Sequence, residues 1–301
     1  MVPLPQRGRS ENESQHTDKP KFEILKKGVN LMLITVNGLV TRAYPSGNHD
    51  RVIHLLTEDH GRLSVMVKGG SSSRAADAAS CTQLFTYGNY ELYRGKGGDL
   101  YWFRGGSVLS PFYELSSDIT RMALATYLCD IASDLTLEEA DEEESGTLLR
   151  LLLNSLYVLC KGDKSPAIVK SAFELRSVSL MGYRPDLTAC ERCGATSPES
   201  AYLDILNGRL ICADCQTRLN RQFRRGDEEG SGEGRRPVCP VSGSVLAALR
   251  YIVSAPDKKI FSFVMKDAEE ERALDRATES FLLHQLEREF ETLRFYRSVA
   301  D

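Results

Sequence analysis

Four cysteines, Cys190, Cys193, Cys212 and Cys215, form two Cys-x-x-Cys pairs separated by eighteen residues. Each pair can set two thiolates about one ion diameter apart, and the spacing is that of four-cysteine zinc ribbons. Between the pairs, AYLDIL and RLIC flank an Asn207–Gly208 turn, which predicts a β-hairpin that brings the two knuckles together. Gly194 follows the first pair, where a tight turn favours a residue free to take positive φ. Four thiolates leave no open coordination position, so the Zn²⁺ expected here is structural, not catalytic. Cys81, Cys129 and Cys160 lie in strand or helix patterns and read as small buried hydrophobes, while Cys239 is the one substitute ligand in view.

Elsewhere the residue types argue against catalysis. None of the five histidines forms an HExxH-type pair or lies in a G-x-S-x-G context, and KGGSSSR at 68–74 lacks the Lys-Ser/Thr ending of a phosphate-binding loop. The acidic run Asp141–Glu144 reads as a solvated helix start. A metal-dependent nuclease using it is the weakest alternative. Binding is better supported. Arg42, Arg51, Arg62, Lys68, Arg74, Arg94, Lys96 and Arg104 interleave with Phe85, Tyr87, Tyr90, Tyr93, Tyr101, Trp102 and Phe103. Single-stranded nucleic acid needs both kinds of group, cations for phosphates and flat rings for bases. For any one ring, however, barrel core is the plainer reading. Lys68 and Arg74 flank a flexible loop and lead the candidates; Arg218, Arg221, Arg224 and Arg225 form a second cluster beside the cysteines.

The elements that must position these groups follow from periodicity. Residues 1–31 are polar, mixed in charge and aperiodic, and are expected to be a disordered extension; Met32 is an alternative start. Short β-branched runs separated by PSGNHD and EDHG, with Leu63, Val65 and Val67 alternating against polar neighbours, predict about five strands over 32–110. That pattern suits a small closed barrel of the OB type. A helical domain follows at 111–189, its first helix capped by Ser116 or Ser117 and a later one by Ser165 with Pro166 at its first position and Gly182 after its end. The zinc module occupies 190–226, a linker 227–240, and the second part of the helical domain 241–301, with helices near Ser244–Ser254 and Ala268–Tyr296. The fold class expected is therefore α+β and multidomain.

With 301 residues, 42% of them hydrophobic, the chain can bury a core without disulfides, so clustered cysteines point to metal. The N-terminus lacks an apolar signal-peptide core and no stretch is long enough to span a membrane, which together suggest the cytosol. The formal charge of −4 conceals segregation, with 32–110 and 190–226 mildly basic and 111–189 acidic. A nucleic-acid partner is permitted but not demanded.

Two elements resemble the RecO family of bacterial recombination mediators over about residues 32–297. One is YPSGNHDRVIHLLTEDHGRLSVMVKGG at 44–70; the other is FELRSVSLMGYRPDLTACERCG at 173–194, where a helix runs into the first knuckle. The resemblance implies an N-terminal OB-fold, a helical domain and a zinc module inserted between helices. It also implies binding of single- and double-stranded DNA, annealing of complementary strands, and partnership with RecR and the acidic tail of single-stranded DNA-binding protein (SSB). These properties together serve RecA loading in recombinational repair, in the cytoplasm at the nucleoid. The loop after Lys68 departs from the family pattern, being GGSSSRAAD rather than rich in Lys and Arg. A zinc-ribbon protein-interaction module without DNA affinity is the competing reading. Phosphate neutralisation predicts that binding weakens as salt rises.

Overall fold

The computed structural model describes residues 32–47, 49–69, 76–94, 100–136, 142–225 and 237–300. The chain divides into two compact units, Met1–Cys160 and Lys161–Asp301.

In the first unit, β1 (Met32–Ser46), β2 (Asp50–Thr57) and β3 (Arg62–Val67) form an antiparallel meander. The turn joining β2 to β3 is tied by Thr57, whose Oγ1 donates to the Gly61 carbonyl at 2.7 Å and accepts from the His60 N–H at 3.0 Å. After the short α1 (Ala76–Cys81), β4 (Thr86–Arg94) and β5 (Tyr101–Pro111) complete a closed barrel in the order β1-β2-β3-β5-β4. Closure is made by the parallel pairs Val65–Tyr101 and Met66–Trp102. This is the partly open Greek-key pattern of the OB type carried to full closure. Leu63, Val65 and Val67 point inward with Ile34, Val36, Ile53, Leu55, Tyr90 and Leu92. Each such side chain contributes roughly 1.5–3 kcal/mol when taken from water. Where β4 and β5 cross, a Cβ on Gly88 or Gly106 would lie 2.7 Å from a carbonyl oxygen of the facing strand, so both positions need glycine.

Helix α2 (Ile119–Leu135) is capped not by Ser116 or Ser117 but by Asp118, whose carboxylate accepts from the Thr120 and Arg121 N–H groups. An aspartate at this position satisfies two of the helix's orphan donors directly. Helix α3 (Glu142–Lys161) touches the barrel through Ser145, which donates to the Glu58 carbonyl at 2.9 Å.

The second unit opens with α4 (Pro166–Leu180), capped by Ser165 as its sequence suggests. A mixed sheet follows, built from β6 (Asp186–Cys190), β7 (Ser200–Asp204) and β8 (Arg209–Cys212), then α5 (Ala213–Arg225) and β9 (Val238–Ser242), in the order β6-β8-β7-β9. Residues 238–240, read as the end of a linker, thus belong to an edge strand. Helices α6 (Gly243–Ser254), α7 (Ala268–Gln285) and α8 (Glu291–Ala300) complete the unit. The single helix expected over Ala268–Tyr296 is two helices. Glu287 takes φ 48°, and the break lets Phe290 bury to 3% exposure. No described helix is long and apolar enough to cross a membrane.

One ammonium joins α4 to α7. Lys170 is 1% exposed, and its Nζ lies 3.0 Å from Glu174, 2.8 Å from Asp275 and 2.9 Å from Glu279. Arg297 of α8 shares Glu279, and Thr278 donates to Glu174 at 2.9 Å. One ammonium cannot neutralise three carboxylates. Glu174, fully buried, is pushed up to about 7, by burial first and then by its acidic neighbours against the pull of Lys170. Lys170 is therefore a structural cation and not a free one on the surface.

Replacing Lys170 with Met should cost about 3–5 kcal/mol of unfolding free energy, because it strands buried carboxylates. Without the ammonium, the folded-state pKa of Glu174 rises further above its ordinary 4.5. The protonated state it favours stabilises the fold at low pH, and that contribution is lost as pH rises through the folded value. The deficit measured by denaturant unfolding should accordingly widen from pH 5 to pH 8.

Candidate functional site

The hairpin of β7 and β8 forms as its turn chemistry requires. Asp204 accepts from the Leu206 and Asn207 N–H groups at 3.0 and 3.1 Å, and Gly208 takes φ 62°. Strand β8 delivers Cys212 at its end, and Cys215 lies in the first turn of α5. Cys190 ends β6, which runs parallel to β8, and Cys193 lies on the turn that follows. That turn is a tight knuckle. The Gly194 N–H donates to the Cys190 carbonyl at 2.9 Å with Gly194 at φ 75°, and the Cys190 N–H donates to the Ala195 carbonyl at 2.8 Å.

These constraints converge the four sulfurs to within 4.8 Å of one another, and no cluster of another composition among the described residues offers comparable ligands. Cys239, on β9, lies outside the cluster. The donor set suits a thiolate-binding cation. Burial resists ionisation of Cys190, yet the N–H groups of Cys212, Cys193 and Arg192 aim at its sulfur and hold the thiol down at about 6. The Cys212 N–H reaches that sulfur at 3.3 Å. Cys215, by contrast, is pushed up, by burial first and then by the neighbouring sulfurs. Four sulfurs this close cannot all ionise without a cation among them. Ile211, Ala195 and Leu219 pack against the cluster and keep it dry on one side.

The barrel sorts its aromatic residues. Phe85, Tyr87, Tyr90 and Tyr101 are buried and serve the core. Tyr93 and Trp102 face outward, half-buried, with their rings stacked at 6.5 Å and 18°. The register then reveals a row that no local sequence signal marks. Tyr44 on β1 pairs with Val52 on β2, Val52 with Met66 on β3, Met66 with Trp102 on β5, and Trp102 with Tyr93 on β4. None of the five is fully buried, and Tyr44 is 44% exposed. Adjacent strands stand about 4.8 Å apart, so this is a continuous band of apolar and aromatic groups over the outer face. Lys68 lies over the Trp102 ring at 4.8 Å, and Arg94 over Tyr101 at 5.0 Å. Next to the band, the Tyr44 hydroxyl meets His54 Nε2 at 2.7 Å.

The candidate cations part company in the structure. Arg42 reaches Asp130 of α2, its Nε 3.1 Å from the carboxylate, and Arg62 donates to the Ser133 carbonyl at 2.9 Å. Arg51 donates to the Thr82 carbonyl at 3.2 Å, and Arg104 lies 3.9 Å from Glu91. Lys68 accompanies the aromatic band, whereas Arg94 lies over the core ring of Tyr101. Arg218 and Arg221 are exposed on α5, three residues apart and hence on one face of the helix whose first turn holds Cys215. Arg74, Lys96 and Asp141 lie outside the described residues, as do the side chains of Arg224, Arg225 and Glu142–Glu144.

Comparison with known proteins gives a consistent picture. The family profile described as "Recombination protein O N terminal" matches residues 32–112, and "Recombination protein O C terminal" matches 116–294. The chain is similar to the DNA repair protein RecO of Acetivibrio thermocellus, 29% identical over 266 residues that cover 88% of this chain and 97% of that one. The corresponding protein of Symbiobacterium thermophilum is 28% identical over 269 residues, covering 88% and 97%. That of an Anaeromyxobacter strain is 33% identical over 183 residues, covering 60% and 70%.

Cys190→Ser should lower the metal bound to well below one equivalent per chain and open residues 186–225 to limited proteolysis, while the emission of Trp102 stays unchanged. Elemental analysis showing a full equivalent of metal in the variant would remove Cys190 from the ligand set.

Proposed function

The chain belongs to the RecO family, and on that premise we propose that it is a non-catalytic recombination mediator that binds single- and double-stranded DNA and anneals complementary strands. The band Tyr44–Val52–Met66–Trp102–Tyr93, with Lys68 over its Trp102 ring, is the observation that supports this most directly. Flat rings accept any base, and a cation beside them tracks the phosphate, which is how sequence-tolerant single-strand binding works. Arg218 and Arg221, and with them Arg224 and Arg225, are the candidates for backbone contacts in the second unit. Two strands held by cationic groups repel one another less, and complementary bases can then pair.

In this reading a zinc ion held by Cys190, Cys193, Cys212 and Cys215 clamps β6 to the start of α5 and so orients those arginines. It supplies no chemistry beyond folding. RecR and the acidic tail of SSB are the protein partners, RecA loading on SSB-coated DNA is the outcome, and the work is done in the cytoplasm at the nucleoid. Of the cations on α4, Lys170 is enclosed by carboxylates and Arg176 binds the Val253 carbonyl and Asp257, each at 2.9 Å, so neither is offered to an acidic tail. The competing reading, an interaction module without DNA affinity, gives the opposite outcome in the experiment below.

Trp102 is the only tryptophan in the chain. Adding a single-stranded oligonucleotide should quench its emission, and Trp102→Ala should weaken binding by about 1–3 kcal/mol. Unchanged emission at saturating oligonucleotide would sink the proposal for the band. The dependence of log K on log salt should be modest, because Arg42, Arg51, Arg62 and Arg104 already have protein partners. Five contacts, from Lys68, Arg218, Arg221, Arg224 and Arg225, give a slope of about −3.5 on single strands.

A further inference from the structure

The four sulfurs are unequally sheltered. Cys190, Cys212 and Cys215 are 2%, 7% and 6% exposed, whereas Cys193 stands on the exposed knuckle. Its Sγ is 3.6 Å from that of Cys212, the residue immediately before α5. Oxidation by peroxide follows thiolate character and access. Metal ligation makes all four sulfurs thiolates, and access then singles out Cys193. The 3.6 Å separation puts the Cys212 sulfur within reach to trap the product.

We propose that Cys193 is a peroxide-reactive modification site whose oxidation to a disulfide with Cys212 ejects the metal ion; this rests on the zinc reading above. The Cys193 thiolate attacks one oxygen of hydrogen peroxide, the O–O bond breaks, and hydroxide leaves a sulfenic acid behind. The Cys212 thiolate attacks that sulfur, the S–O bond breaks, and a second hydroxide leaves as the disulfide forms. Two thiolates have lost two electrons to the peroxide, and two protons from solvent convert the hydroxides to water. Cys190 and Cys215 remain as half a shell, too few to retain the ion. The start of α5, bracketed by Cys212 and Cys215, is then unpinned, and Arg218 and Arg221 lose their fixed placement. A dithiol reductant with added zinc reverses the sequence.

The test uses the full chain, its zinc content measured first, then exposed to hydrogen peroxide. Released zinc is followed with a chromogenic chelator, and disulfides are mapped by mass under non-reducing conditions. The expected result is release of the zinc with Cys193–Cys212 as the first bond, and release at least tenfold slower in Cys193→His, which keeps a ligand but removes the exposed sulfur. A different first disulfide in the unaltered chain overturns the proposal, whatever the variant does. Release from zinc-loaded Cys193→His at the unaltered rate also overturns it. A chain purified without zinc overturns the zinc reading and this proposal together, whereas a loaded chain that keeps its zinc in peroxide overturns this proposal alone.

Discussion

The first unit depends on the closure of its barrel through two residue pairs, Val65–Tyr101 and Met66–Trp102. A five-stranded sheet left open there would expose two edges, each a row of unpaired N–H and C=O groups. Closing it satisfies those groups and encloses the apolar side chains of all five strands. It also fixes the phase of every strand, since a shift of one residue would exchange the inner and outer faces. The same pairing that buries Val65 and Tyr101 therefore obliges Met66 and Trp102 to stand outside, next to each other. The aromatic band is thus the outward face of the constraint that makes the core.

Charge is distributed under a similar economy of position. Arg42 and Arg62 lie on the barrel but turn to α2, and Lys170 is enclosed by the carboxylates of α4 and α7. Cationic groups that look alike in a composition thus divide into those that hold elements together and those that remain beside an outward surface. The cysteine cluster shows a related logic. Backbone geometry aims N–H groups at Cys190, so negative charge on that one sulfur is favoured before any ion arrives.

What could be read in the chain alone was what is local. The alternation of Leu63, Val65 and Val67, the Ser165–Pro166 helix start, the Asn207–Gly208 turn and the paired cysteines each carry their signal within a few residues. The Arg42–Asp130 and Arg62–Ser133 contacts join residues 88 and 71 apart, and nothing near either arginine announces them. The band escaped for the same reason, being assembled from five strands with one residue from each. Strand β9 was hidden by Pro240, which lowers strand propensity. Proline is tolerated there because β9 is at the sheet edge. The Ala268–Tyr296 pattern continues through Leu286 without a glycine or proline, so the positive φ of Glu287 leaves no mark in composition.

The contacts of Arg42 and Arg62 with α2 bear on how the molecule can be divided. The family profile for the N-terminal part ends at residue 112, but the compact unit runs to Cys160. A fragment cut at the profile boundary would strip the barrel of Asp130, the Ser133 carbonyl and Ser145, and would uncover the wall they shield. The inherited module and the physical one are different lengths of chain. Recombining the barrel with other partners, in evolution or in the laboratory, means moving the two helices with it.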